Sequence, residues 1–299
     1  MTLEFLDHAF MQRALIAAAL IGVIAPAVGI YLVQRRQAIM GDGIGHVALA
    51  GVALGFLLSA DPVWMAVLVA TLGAVAMELI RAHGKTHGDI ALAMLFYGGM
   101  SGGVLLINLS DDGSNAQLLS YLFGSITTVS EDDVIVISVL AGLVMAVTLG
   151  LRRQLFAVCQ DEEFARVTGL PVRLLNLTLA VTAAVTVTVA MRVVGLLLVS
   201  ALMVIPVAAA QQLTRAFAST LVIAVAIGVT VTLSGTVSTY YVDAPSGATI
   251  VVLAIGVFLV VTAIATPLAA RRARRAEAER PDERLPTLPP VTPKGDLPV

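Results

Sequence analysis

The sequence is poor in charged residues and nearly free of cysteine. Charged side chains make up 13 % of the 299 residues, whereas about 25 % is usual in a soluble domain. No polar stretch is long enough to build a large soluble domain. The single cysteine, Cys159, excludes a framework of disulfides within the chain. We therefore expect neither a large soluble unit nor a disulfide-stabilised one.

Signals for catalysis, nucleotide binding and nucleic-acid binding are also missing. No nucleophile, base and orienting group stand out as a set, and basic residues cluster at the ends of apolar runs rather than in a patch. Gly84–Thr86 resembles part of a phosphate-binding loop, but Leu79 stands where that loop needs its first glycine. We expect a protein that is not an enzyme, has no permanently bound cofactor and binds no nucleic acid.

Long apolar runs dominate what is present, since 58 % of the residues are hydrophobic. Such runs predict membrane-spanning helices, and hence an all-α, polytopic transmembrane bundle. The sixth and seventh runs are separated only by Arg192, so the span count is eight or nine. Ala116–Thr128 is too short to span and predicts an interfacial or re-entrant helix. The candidate spans are Phe10–Val33, Ile39–Leu58, Val63–Ile80, Ile90–Leu109, Val134–Leu151, Leu174–Met191, Val193–Ala210, Phe217–Tyr240 and Thr249–Thr266.

Charge in the loops predicts the orientation of the bundle. Every second loop is basic and the opposite loops are acidic, which with nine spans places the C-terminus in the cytoplasm and the N-terminus outside. Arg192 is the exception at an outer boundary, where it either snorkels to the headgroups or breaks the local topology. Residues 1–268 form the predicted membrane domain. Residues 269–299 form a basic, proline-rich cytoplasmic tail that we expect to be disordered, with arginines able to contact membrane lipid.

One span contains an acid and an imidazole in an apolar, glycine-rich run, Met40–Gly55. Asp42 and His46 are spaced i and i+4, so they face the same way from a helix. Both are costly in hydrocarbon, which favours a binding site or ion path. They also form a partial ligand set for a divalent transition metal. From spacing alone, a solvated N-terminal cap near Arg35 and Arg36 is an equally open interpretation.

Glycines in the same run predict two further features. Gly51 and Gly55 share a face with Ala48 and permit close approach of a neighbouring helix. Each glycine near the start of the run costs about 1 kcal/mol of helix stability relative to alanine. We therefore expect a loosened or broken helix start.

Three other groups are weaker candidates. Glu78 either lines a pathway or forms a local ion pair with Arg81, three residues on. Ser200 either lines a pathway or forms a hydrogen bond within or between helices. The third group is either a metal site or a solvated loop and comprises His83, His87 and Asp89.

A polar segment between the fifth and sixth spans predicts a short amphipathic helix. Asp161 is a suitable N-cap, and Gly169 is a suitable C-terminal stop. Such a helix at the cytoplasmic ends of two spans suits docking into a groove on a partner, although a plain connecting helix is the alternative. The segment includes Asp161, Glu162, Glu163, Phe164, Ala165 and Gly169.

Five segments together carry a family resemblance: AIMGDGIGHVALAGVALG (Ala38–Gly55), GDIALAMLFYGGMSGGVLL (Gly88–Leu106), SYLFGSITTVSEDDV (Ser120–Val134), DEEFARVTGLPVRLLN (Asp161–Asn176) and VGLLLVSALMVIPVAAAQQL (Val194–Leu213). Over about residues 5–268, the chain resembles the integral membrane permease of zinc/manganese/iron-type ABC importers. It departs from that pattern at Gly88 and Asp89, where the family commonly has a Glu-Asp pair, and in its long tail.

The resemblance implies a homodimeric permease in a bacterial plasma membrane, with cytoplasmic ATP-binding subunits and an extracytoplasmic metal-binding protein as partners. It implies that Asp42 and His46 contact the transported metal and that the Asp161–Gly169 segment couples to the ATPase. The expected function is import of zinc, manganese or iron, with ATP hydrolysed by a separate subunit. The alternative is a proton-coupled secondary metal transporter that uses Asp42, His46 and Glu78 as a relay.

Overall fold

The protein folds as a bundle of helices. A computed structural model describes residues 7–82, 88–109, 120–125, 127, 129–242 and 244–278. All regular secondary structure within those ranges is helical, which confirms the predicted all-α class. The helices are α1 (Ala9–Gln34), α2 (Met40–Leu57), α3 (Pro62–Ala82), α4 (Gly88–Asn108), α5 (Glu131–Gly150), α6 (Arg152–Gln160), α7 (Glu162–Val167), α8 (Val172–Ala190), α9 (Leu196–Leu213), α10 (Phe217–Tyr241) and α11 (Ser246–Ala278).

Eight of the described helices are long and apolar enough to cross a bilayer: α1 to α5, α8, α10 and α11. Helix α9 has 18 residues, which corresponds to about 27 Å and approaches the roughly 30 Å of a hydrocarbon core. It is a separate helix, since the chain leaves helical structure between α8 and α9. The prediction of a polytopic membrane protein with eight or nine spans is confirmed.

The centre of the bundle is formed by α1, α2 and α8, in which most residues are buried. Fewer than a third are buried in α3, α4, α5, α10 and α11, which surround that centre. Helix α2 packs between α3 and α4, and α1 packs against α9 and α10. Large apolar side chains remain exposed on the outer helices, as contact with lipid or another apolar surface allows.

Small residues bring the backbones of α2 and α3 into contact. A Cβ atom added at Gly51 would lie 2.7 Å from the Cα atom of Ala66, and one added at Gly55 would lie 2.7 Å from the Cα atom of Pro62. Only glycine fits at such distances. The close helix packing predicted for this face of α2 is confirmed.

Arg192 is neutralised inside the protein. It lies between α8 and α9, forms an ion pair with Asp133 in the first turn of α5 and donates a hydrogen bond of 3.0 Å to the Tyr121 hydroxyl. Ser130 and Asp133 form a capping box that fixes the carboxylate. Tyr121 belongs to a helical turn at residues 120–123, within the segment predicted to be interfacial or re-entrant. The Arg192 guanidinium is therefore bound by Asp133 and Tyr121 within the protein, and it does not depend on lipid headgroups for a partner.

Two sequence predictions fall outside the described residues. His83 and His87 lie in one such gap, so the suggested metal loop stays a prediction. Residues 279–299 lie in another, and the disorder of the tail stays a prediction as well. Helix α11 itself continues to Ala278, past the domain boundary predicted at residue 268. The cytoplasmic position of the C-terminus remains an expectation from the charge pattern.

Candidate functional site

Helix α2 is regular from its first residue. It begins at Met40 with Ile39 as N-cap and has no side-chain cap hydrogen bond. The expected loosened or broken start is therefore wrong, and Asp42 is not the N-cap. Packing explains the difference: a Cβ atom at Gly41 would lie 2.9 Å from Ser200 Oγ, and one at Gly43 would lie 3.2 Å from Leu92 Cδ1. Close contact with α9 and α4 offsets the low helix propensity of glycine.

Asp42 and His46 lie one turn apart on α2, and both side chains are partly buried. Asp42 forms no hydrogen bond or ion pair with the residues that the structure describes. The Nδ1 atom of His46 is buried and also lacks a hydrogen-bond partner there. The imidazole makes a T-shaped contact with Phe96 of α4, with the ring centroids 4.3 Å apart. Packing, not hydrogen bonding, therefore orients this imidazole.

Ser200 contacts α2 on a different side. Its Oγ atom is buried, lies against the backbone of Gly41 and has no hydrogen-bond partner among the described residues. The structure therefore places Ser200 at the α2–α9 contact but does not bring it into the Asp42–His46 pair. Its assignment as a pathway residue stays a prediction.

Glu78 forms the local ion pair that was its alternative interpretation. Glu78 is buried, with 4 % of its surface exposed, and its two carboxylate oxygens accept hydrogen bonds from Arg81 at 3.0 Å each. No cluster of three or more His, Cys, Asp and Glu side chains suited to a metal occurs in the described ranges. A single chain thus supplies two candidate ligands, Asp42 and His46. A pathway role for Glu78 stays untested.

Asp42 differs from the other charged groups in how its charge is compensated. Among the side chains whose burial the structure describes, every other charged group that is not exposed has an ion-pair partner, and the pairs are Arg13–Glu131, Arg35–Glu162, Arg81–Glu78 and Arg192–Asp133. Burying a carboxylate without a partner is strongly unfavourable. The arrangement at Asp42 therefore suits a cation that arrives from outside the chain.

Two residues next to this pair were not singled out from the sequence. Phe96 packs on the His46 ring, and Gly99 lies against the α2 backbone: a Cβ atom there would lie 2.6 Å from Val47 N and 2.7 Å from His46 C. The run of small residues around Gly98 and Gly99 was a usable signal for close helix approach. Nothing local to that run indicates which helix is approached.

The predicted short helix exists as α7. The Asp161 side chain accepts a hydrogen bond of 2.9 Å from Phe164 N, and Gly169 adopts a positive φ of 83° just after the helix. Both the predicted cap and the predicted stop are confirmed. Ala165 is fully buried, whereas Phe164 is 64 % exposed and Val167 is 86 % exposed. Helix α7 thus presents apolar side chains outward.

An ion-pair network joins α7 to the bundle. Arg35, at the end of α1, donates to Glu162 at 3.1 Å and to Asn176 of α8 at 2.8 Å. Arg35 is therefore committed to this network and does not neutralise Asp42.

On the neighbouring helix α6, burial raises the pKa of Cys159 to about 11, so the thiol stays protonated at neutral pH and is not a thiolate ligand.

The geometry defines a multi-pass membrane protein with an uncompensated polar pair in its helical core, and comparison with known proteins identifies the family. The model of the ABC 3 transport family matches residues 7–265. The chain belongs to that family and is a membrane permease of the ABC type.

Several relatives match along nearly their whole length. A probable metal transport system membrane protein of Treponema pallidum (strain Nichols) is 36 % identical over 86 % of this chain and 96 % of its own length. The manganese transport system membrane protein MntC of Halalkalibacterium halodurans is 29 % identical over 85 % of this chain and 87 % of its own length. The solved structure of PsaBC from Streptococcus pneumoniae in complex with Fab matches with a TM-score of 0.76 and 29 % identity, over 88 % and 95 % of the two chains.

Adjacent glycines on α4 test the contact that positions His46. We expect Gly99→Ala to lower the free energy of unfolding by about 1–3 kcal/mol, because the new methyl group must displace the α2 backbone. Gly98 has no atom within 4 Å of its added Cβ, so Gly98→Ala should be neutral or stabilise by up to about 1 kcal/mol. Unfolding in detergent, followed by circular dichroism, measures both. Equal effects of the two variants would contradict the α2–α4 contact.

Proposed function

We propose that this permease is the membrane-spanning subunit of an ATP-driven importer of divalent transition metal ions. The observation that carries the proposal is the Asp42 carboxylate, which is partly buried without a cationic partner in the described structure, one helical turn from His46. A carboxylate oxygen and an imidazole nitrogen suit zinc, manganese or iron. Relatives named for metal or manganese transport support the same class of cargo.

The site is completed by a second copy of the chain. Two protein ligands are too few for a firm metal site, and the described part of one chain gathers no third. In a homodimer with two-fold symmetry, the same pair from each copy would supply four ligands around one axis. A site assembled from two movable halves can release its ion when they separate, which transport requires.

Energy for import comes from a separate ATP-binding subunit. Helix α7 is the docking element, because its apolar side chains Phe164 and Val167 face outward while Arg35 anchors it to α1 and α8. ATP binding would rock the two permease copies between outward-facing and inward-facing states. An extracytoplasmic metal-binding protein would deliver the ion, and the assembly would lie in a bacterial plasma membrane with the C-terminus in the cytoplasm.

Loss of either ligand should abolish metal transport. We expect Asp42→Ala and His46→Ala each to reduce ATP-dependent uptake of zinc or manganese by about 100-fold or more, since each removes a direct ligand. Uptake is measured in vesicles that contain the whole assembly, with and without ATP, at matched amounts of permease.

Matched controls use the same residue types away from the pair. Asp61 caps α3 through Val63 N at 2.8 Å, a role that asparagine retains, and His8 is exposed. Asp61→Asn and His8→Ala should therefore leave uptake within about twofold of the original. Normal uptake by both site variants would remove the site assignment.

The docking role of α7 gives a separate prediction. We expect Phe164→Ser to weaken binding of the ATPase about tenfold or more, because truncating an aromatic anchor at an interface typically costs more than 1 kcal/mol. Co-purification over a dilution series measures the change. Gln160→Ala, at an exposed position on the preceding helix, should have no effect. Undiminished binding by Phe164→Ser would mean that α7 is only a connector.

A further inference from the structure

A cavity of about 940 Å³ opens between α3, α7 and the start of α8. Its two carboxylates already have partners, since Glu78 pairs with Arg81 at 3.0 Å and Glu162 pairs with Arg166 at 3.4 Å. Arg173 lines the same cavity, is exposed and forms no hydrogen bond or ion pair with any described residue. The described side chains that line the cavity, two carboxylates and three arginines, therefore carry a net positive charge, which disfavours the metal cargo and favours an anion.

The first turn of α8 adds to this preference for an anion. Residues from Pro171 to Leu174 line the cavity, and no side chain caps this end of α8. Uncapped backbone N–H groups and the helix dipole attract negative charge. Arg173 and the helix end thus face the same space, and a phosphate oxygen is the kind of acceptor that both favour.

An apolar groove of about 310 Å³ continues from the charged cavity. It runs between α5 and α8, and Leu174 and Leu177 line both the cavity and the groove. Along α8 the groove extends from Leu174 to Val185, a rise of about 16 Å. Half of a roughly 30 Å hydrocarbon core is about 15 Å. The groove therefore matches the depth of one leaflet.

We propose that the cavity and groove together bind one anionic phospholipid. The phosphate lies against Arg173 and the N-terminus of α8, and one acyl chain follows the groove between α5 and α8. A soluble anion would leave the adjoining groove unused. A zwitterionic lipid such as phosphatidylcholine offers the same phosphate, but the cation in its headgroup weakens the net attraction to the positively charged lining. A basic recess at the end of membrane helices is a recognised form of lipid headgroup site.

The test is native mass spectrometry of the purified full-length chain, incubated in detergent with phosphatidylglycerol or phosphatidylcholine of identical acyl chains. We expect at least fivefold greater retention of phosphatidylglycerol. Arg173→Gln should abolish this preference, and Arg173→Lys should preserve it. Arg215→Gln removes another exposed arginine, outside the cavity, and should leave the preference unchanged.

A second pair of variants tests the groove. Leu143 lines the groove and is 55 % exposed, whereas Leu72 on α3 is 61 % exposed and lies outside it. Leu143→Trp should fill the groove and reduce retention of phosphatidylglycerol at least threefold, and Leu72→Trp should not. Both substitutions alter exposed positions, and we therefore expect the variants to fold. A monodisperse elution profile in size-exclusion chromatography checks this for each variant.

Three results would overturn the proposal. The first is equal retention of the two lipids by the unmodified chain, and the second is an unchanged preference in Arg173→Gln. The third is retention of glycerol phosphate as strong as that of phosphatidylglycerol, which would identify a soluble anion as the occupant. Failure of the isolated chain to retain either lipid would count with the first. Metal uptake is not part of this readout, so failure here leaves the proposed transport function intact.

Discussion

A carboxylate in an apolar helical bundle needs a compensating charge, and the described structure meets that need at every partly buried ionic group except Asp42. Removing a charge from water without providing a partner is unfavourable. If Asp42 had only a structural role, we would expect it to have a cationic partner, as Glu78 has in Arg81. We propose that the partner of Asp42 is an incoming metal ion, which is present only during part of the transport cycle.

Close helix packing places this pair and keeps it oriented. Helix α2 tolerates many glycines because α3, α4 and α9 approach its backbone where side chains are absent. Phe96 then holds the His46 ring without using its nitrogen atoms. The same contacts that stabilise α2 therefore leave polar atoms free for a ligand. Arg35 links α1 to α7 and so connects the membrane core to the proposed docking element.

Local patterns in the sequence predicted the helical class, the placement of Asp42 and His46 one turn apart on a helix, and the N-cap and C-terminal stop of α7. These features depend on neighbours within a turn or two of the chain. The partner of Arg192 could not be predicted in this way, because Asp133 is 59 residues distant. The regular start of α2 was missed for a similar reason: glycine propensity is a local property, whereas the contacts that overcome it come from α4 and α9. Phe96 and Gly99 were also defined only by tertiary packing.

The proposed metal site is shared, with each chain contributing half of its ligands. Its most direct test is the stoichiometry of Mn²⁺ bound to the purified full-length permease, with metal counted by mass spectrometry and protein by amino-acid analysis. If the site is shared between two copies, we expect one ion per two chains, and no bound ion when His46 is replaced by glutamine. One ion per chain, or binding that persists in His46→Gln, would contradict it.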